Sequence, residues 1–156
     1  MFNLFKKSID ENIYAPVSGK CIDITEVDDI GFSSKSMGDG IAIIPTTNDI
    51  VAPCDGVVQM IFRTGHAFGI KGANGFEILI HIGIDTVNLE GKGFTILKEL
   101  NQKVKKGEPI IHIDLDEIKK EYDPTTLLII TNNKKINKIN INNNITTGDV
   151  ILEGIE

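Results

Sequence analysis

The chain has 156 residues, with 16 Lys and Arg against 22 Asp and Glu, for a net charge of −6. That length suits one domain able to fold without staples, and the acidic balance argues against a nucleic-acid partner. Two cysteines, Cys21 and Cys54, in no CxxC or zinc-knuckle spacing, argue against a disulfide framework and fit a reducing, cytoplasmic setting.

From the N-terminus, residues 1–12 read as a flexible tail and 13–156 as a single domain. No signal-peptide core is visible, and no apolar run approaches the ~20 residues of a membrane span. Met1, Phe2, Leu4 and Phe5 beside Lys6 and Lys7 allow a weak contact with anionic lipid; a plain disordered end is the alternative. Then comes a repeat. "APVSGKCIDI" starts at Ala15 and "APCDGVVQMI" at Ala52, both Ala-Pro-x-x-Gly followed by an alternating strand. "VKKGEPIIHI" starts at Val104 and "ITTGDVILEGI" at Ile145, both apolar-x-x-Gly-acidic and then a strand. Two kinds of unit, each present twice in the order A, A, B, B, predict an all-β antiparallel sandwich or barrel built from two interlocked half-barrels. Coincidence in a glycine-rich chain is the competing account.

Between the repeats, "FGIKGANGFEILIHI" predicts a hairpin with Asn74-Gly75 as a type I′ turn. "FTILKELNQ", residues 94 to 102, reads as one short helix. "DLDEIKKEY", residues 114 to 122, reads as another, capped by Asp114 or Asp116. "TNNKKINKININNNI", residues 131 to 145, has low-complexity composition, but Ile136, Ile139, Ile141 and Ile145 can anchor ordinary strands and turns.

The three histidines carry the chemistry. His112, in "IIHIDLD", has only Asp114 as a chemical neighbour and reads as structural or superficial. His66, in "RTGHAFGI", follows Thr64 by two. In an extended segment Thr64, His66 and Phe68 share a face, and the threonine can fix the ring's tautomer. An exposed loop histidine is the alternative. His81 lies in "EILIHIGIDTV", where Ile78, Ile80 and Ile82 form the core stripe and His81 shares the other face with Leu79. It is a nucleophile or a satisfied half-buried histidine. The hairpin brings His66 and His81 into nearly matched register, so the pair is either half of a metal site or a nucleophile with a partner. HxH and HExxH arrays are absent, as is a GxSxG elbow, and no biotinyl or lipoyl lysine motif is present.

"GDGIAIIP", "VAPCDG", "IFRTGHAFGI", "LIHIGIDTVNLEGKGF" and "VKKGEPII", in that order, resemble the glucose-family IIA component of the bacterial phosphoenolpyruvate:sugar phosphotransferase system, from about Ile13 to the C-terminus. The resemblance implies an antiparallel β-sandwich and a cytoplasmic phosphocarrier. His81 would accept a phosphoryl group from phospho-HPr and pass it to a cysteine of a IIB domain. His66 would stabilise the phosphoryl oxygens, and Thr64 would orient His66. Gly83 would hold the other ring nitrogen of His81 through its carbonyl, and Asp85 would be a flanking acid. Phe32, Phe62 and Leu79 would belong to the apolar partner-binding rim by the same resemblance; Phe68 is a further rim candidate, and core packing is the alternative for each of the four. The implied protein requires no cofactor, and it meets the membrane only through the permease or weakly by its tail. A regulatory module of the same fold is the alternative, its histidine pair binding protein partners or sharing zinc with a partner's carboxylate. Arg63 and Gly65 depart from an acidic residue and an asparagine expected in enterobacterial relatives, which bears on partner specificity. No IIB or IIC segment follows Glu156, so the chain would be a stand-alone subunit or one domain of a longer protein.

Overall fold

The four glycine turns pair crosswise. Ala15 N–H donates to Asp149 O (2.7 Å) and Ala15 C=O accepts from Gly148 N–H (3.0 Å), while Ala52 N–H donates to Glu108 O (2.8 Å) and Ala52 C=O accepts from Gly107 N–H (2.9 Å). The first A unit thus grips the second B unit, and the second A unit grips the first B unit. Gly107 and Gly148 sit at φ +88° and +94°, backbone that a side chain resists.

The computed structural model describes residues 9–155. Its strands are β1 (Asn12–Tyr14), β2 (Gly19–Asp23), β3 (Asp39–Pro45), β4 (Asp49–Val51), β5 (Gly56–Ile61), β6 (Ala67–Gly72), β7 (Glu77–Ile82), β8 (Phe94–Ile96), β9 (Lys103–Val104), β10 (Pro109–Ile113), β11 (Thr126–Ile130), β12 (Ile136–Lys138), β13 (Asn144–Ile145) and β14 (Val150–Gly154). Two short helices, α1 (Ile30–Ser33) and α2 (Leu115–Lys119), join them. The large sheet runs β13-β2-β3-β11-β7-β6-β5-β9, and two small sheets run β1-β14-β12 and β4-β10-β8. The order is symmetric about the β11–β7 seam: β13 and β9, β2 and β5, β3 and β6 occupy equivalent places. The all-β antiparallel expectation and the interlocked half-barrels are both borne out. One main core lies between the sheets, with Phe68, Phe76, Ile80, Ile82, Ile111 and Leu128 among its members.

Local expectations fared unevenly. α2 forms inside 114–122, and Asp114 accepts the Glu117 amide as its cap (3.1 Å). The helix expected over 94–102 is not there: Phe94–Ile96 is strand β8, paired with β10 as Ile111↔Ile96 and Ile113↔Phe94. Phe94 packs against the main core from that strand, so tertiary pairing overrides local propensity. The Asn74-Gly75 hairpin forms, but not as a type I′ turn, because Gly75 (φ +86°) has positive φ and Asn74 does not. Gly75 N–H reaches Gly72 O (3.0 Å), while the Asn74 carboxamide oxygen accepts the Phe76 amide (3.1 Å). In the Asn-rich run, Ile145 is buried and Ile136 and Ile141 pack against the core, while Asn140 and Asn142 take positive φ. The sheet starts slightly before residue 13: Asn12 pairs with Glu153, Glu11 O accepts from Gly154 N–H, and Asp10 accepts from the Tyr14 hydroxyl. The proposed lipid-contacting residues Met1 to Lys7 lie outside the described residues.

One ionic cluster ties β12 to the large sheet. The Lys138 ammonium donates to both carboxylate oxygens of Asp23 (3.1 Å each) and to Asp39 (2.6 Å). Burial works to raise both carboxyl pKa values. It is outweighed by the Thr25 amide and Lys138 at Asp23, and by Lys138 and the Gly40 amide at Asp39, so both end below the ordinary 3.8. A depressed carboxyl stabilises the fold above its unfolded pKa and stops doing so as pH falls through the folded one. Lys138→Met therefore costs stability at pH 7, and the gap to wild type narrows below pH 3.8. Urea unfolding at pH 7 and pH 3 measures both; a gap independent of pH would mean that the cluster is not the source.

Candidate functional site

β7 splits its side chains between two cores. Ile78, Ile80 and Ile82 face the main one; Leu79 and His81 face outward. Outside, the segment from Ile24 to Phe32 folds back over the sheet. Ile24, Val27 and Phe32 pack on Ala42, Leu127 and Ile129, with Ile22, Leu79 and Ile84 at the border. α1 starts where Asp29 accepts the Gly31 amide (2.8 Å). Register places Ala42, Leu127, His81 and Ala67 in one row across β3, β11, β7 and β6. His81 therefore stands half-buried on an apolar floor. Its ring centroid lies 4.9 Å from that of Phe32. A shallow depression of about 210 Å³ opens in front, lined by Asp29, Phe32, Met37, His81, Asp85 and Val87.

His66 arrives from the other side. Ile82 N–H donates to His66 O (2.7 Å), which sets the end of the β6–β7 pairing. The two imidazoles meet edge to face, with centroids 5.2 Å apart and planes at 78°. Phe62, exposed, packs edge-on against His66 at 4.9 Å. The Thr64 hydroxyl hydrogen-bonds His66 Nδ1. His81 Nδ1 is 2.9 Å from Gly83 O. A carbonyl oxygen only accepts, so His81 carries its proton on Nδ1 and keeps the Nε2 lone pair free.

Burial lowers the pKa of His66; burial and then the neighbouring His66 lower that of His81, against the Gly83 carbonyl, Asp29 and Asp85, which raise it. Both rings are neutral at pH 7. An unfolded histidine then takes up its proton first, so stability is full above about pH 6.5 and falls as pH drops through 6.5 towards the folded values. Urea midpoints between pH 8 and 5 fall in the wild type, and His66→Gln/His81→Gln flattens this slope; an equal slope in both proteins would place the effect elsewhere.

The structure brings together His81, His66, Thr64, Gly83, Phe32 and Phe62, with Asp85 exposed at the edge of the depression and Leu79 in the neighbouring row. Phe68 is not with them. It is fully buried and pairs with Ile80 on the main-core face. The shared face expected for Thr64, His66 and Phe68 fails because His66 precedes β6: Gly65 at φ +74° turns the chain, and its amide bonds Phe62 O (2.8 Å). His112 is exposed and bonds Asp49 (2.7 Å) on the β10–β4 edge. Among the described residues no group of three or more His, Cys, Asp or Glu side chains is placed to hold a metal ion, and the histidine pair alone supplies two of the four ligands of a tetrahedral zinc. Sequence reasoning missed Asp29, Met37, Val87 and Thr86. Thr86 was present in the quoted "GIDTV" but carries no pattern of its own.

Residues 11–136 match the family model described as phosphoenolpyruvate-dependent sugar phosphotransferase system, EIIA 1. The chain is 44% identical over 138 residues to the "PTS system glucose-specific EIIA component" of Borreliella burgdorferi, covering 88% of this chain and 73% of that protein. It is 52% identical over 121 residues to the "PTS system glucose-specific EIICBA component" of Staphylococcus carnosus, covering 77% of this chain but only 18% of that longer protein. The structure of glucose permease IIA from Mycoplasma capricolum superimposes with a TM-score of 0.85 at 37% identity, over 95% of this chain and 96% of that one.

Proposed function

The chain belongs to the EIIA 1 family of the phosphoenolpyruvate-dependent sugar phosphotransferase system, and on that premise we propose that His81 Nε2 is its phosphoryl acceptor. The Nε2 lone pair attacks the phosphorus of a phosphohistidine on HPr. One P–N bond forms as the donor's breaks, and the donor imidazole leaves with the electron pair. In the second step a cysteine thiolate of a IIB domain attacks the same phosphorus, and His81 leaves. Such transfer asks for in-line positioning and for charge stabilisation at the three equatorial oxygens. His66 is the group beside His81 for the second task, with Thr64 fixing its ring. The apolar floor and Phe32 limit access of water to the P–N bond. A shallow opening suits donors and acceptors that are themselves proteins.

The observation that carries this reading is the hydrogen bond from His81 Nδ1 to Gly83 O, which leaves Nε2 unprotonated beside a second imidazole. Phe32, Phe62, Met37 and Val87 form the partner-facing rim in this reading, and Asp29 and Asp85 lend it negative charge. No helix of the described residues is long and apolar enough to cross a membrane, and we place the protein's action in the cytoplasm. Phosphoryl transfer itself needs no cofactor here; zinc would enter only where a partner completes the ligands of His66 and His81. The test is incubation with phosphoenolpyruvate, enzyme I and HPr, then peptide mapping of the acid-labile phosphate. Label on His81 is expected. Absence of label, with both carriers proven active, would refute the assignment.

A further inference from the structure

We propose that Thr86 is a positioning residue for phosphoryl transfer, acting through the two peptide groups that hold the His81 ring. This rests on the reading of His81 as acceptor. Thr86 is fully buried, at the start of a 3-10 turn spanning Thr86–Leu89, and its hydroxyl donates to Ile82 O. That carbonyl belongs to the Ile82–Gly83 peptide, whose N–H donates to Thr125 O (3.0 Å). The plane is therefore pinned at both ends. The next peptide, Gly83–Ile84, supplies the carbonyl that takes the His81 Nδ1 proton, and its own N–H donates to Asp123 O (2.9 Å).

Gly83 sits at φ +85°, a conformation that few residues adopt, and Thr86 packs against its α-carbon: a Cβ there would lie 2.3 Å from Thr86 Cγ2. The side chain does two things at once. Its methyl fills the space under Gly83, and its hydroxyl sets the rotation of the peptide before it. Asp123 O is held in turn by an Asx turn, Asp123 Oδ1 accepting from the Thr125 amide (2.9 Å) and hydroxyl (2.7 Å). Ile82 connects this clamp to the second histidine, since its N–H donates to His66 O. Which ring nitrogen carries a histidine's proton is set by the bond that the other makes. Loosening the Gly83 carbonyl frees the Nδ1 proton to shift to Nε2, and a ring protonated on Nε2 cannot attack phosphorus.

Thr86→Val keeps the shape and deletes the hydroxyl; Thr86→Ser restores the hydroxyl without the methyl. The readouts are the nitrogen chemical shifts of His81, which report the tautomer in the unphosphorylated protein, and the rate of acceptance from phospho-HPr. We expect Thr86→Val to shift His81 towards the Nε2-protonated form and to slow acceptance about tenfold or more. Thr86→Ser should return the tautomer to the wild-type position and the rate to within a few fold. A Thr86→Val protein with wild-type shifts and rate overturns the proposal. So does a folded Thr86→Ser that shows the valine variant's shifts. If Thr86→Val does not fold, the serine variant and a Thr86→Cys variant, compared by the same shifts, decide it. The tautomer readout stands whether or not wild-type His81 accepts phosphate, so its failure and failure of the acceptor assignment are separate results.

Discussion

His81→Ala accepts no phosphoryl group from phospho-HPr, at a limit at least about 10³-fold below wild type, while His66→Ala still accepts but passes the group on about 10²-fold more slowly. The asymmetry follows from the roles proposed for the two rings. In the proposed reading, removing His81 removes the atom to which phosphorus bonds, and none of the remaining groups takes its place on the floor of the depression. Removing His66 takes away one charge-stabilising neighbour of the phosphoryl group, and loss of a single such donor in an enzyme site costs about 10²–10³ in rate. Quench-flow transfer from labelled HPr, then to a IIB domain, measures both steps. Equal losses in the two variants would mean that the rings act as one unit rather than as acceptor and support.

Gly40→Ala strongly destabilises the fold. Gly40 lies in β3 opposite Ile129, and a Cβ there would stand 1.9 Å from Leu128 O and 2.9 Å from Leu128 C. Both atoms are backbone of β11, so no side-chain rotation relieves the clash. β3 must move away from β11 in the middle of the large sheet, at a cost of about 3 kcal/mol or more. Equilibrium urea unfolding checks this, and a change under about 1 kcal/mol would show that the β3–β11 spacing yields. β11 also carries Leu127, which pairs directly with His81. The variant should therefore lose phosphoryl transfer beyond its loss of folded protein.

The architecture was legible because it is written in turns. The Ala-Pro-x-x-Gly and Gly-acidic units set local geometry, and their A, A, B, B order predicted two interlocked half-barrels; which turn grips which came from the structure. The closeness of the two histidines was legible because a hairpin's register can be counted from its turn; their edge-to-face geometry was not. Other features depended on contacts that no window of sequence contains. β8 was mistaken for a helix because its pairing to β10 is tertiary. Phe68 was placed at the rim rather than in the core because the period-two rule was run through His66, which precedes β6 and follows the turn at Gly65. The lid over His81, with Asp29 as cap and Met37 at the rim, is a short irregular segment with no periodicity to read. Thr86 works through peptide planes, and a buried threonine does not announce which carbonyl it meets.

The crosswise pairing of the turns also governs when the protein can fold. Ala15 bonds Gly148 and Asp149, and β1 closes onto β14, so within this domain the first described strand to be synthesised has its partner in the last. At about 5–20 residues per second, synthesis separates the two by on the order of ten seconds. The half that holds β4 to β10 has both of its turns, at Ala52 and at Gly107, by Ile113, whereas the half that holds β1 to β3 waits for its second turn at Gly148. Strands β2 and β3 must wait with open edges until β11 and β13 are made. Such dependence on distant contacts slows the search for the native state. The floor under His81, on β7 between β6 and β11, is thus completed only when the later half docks on the earlier one.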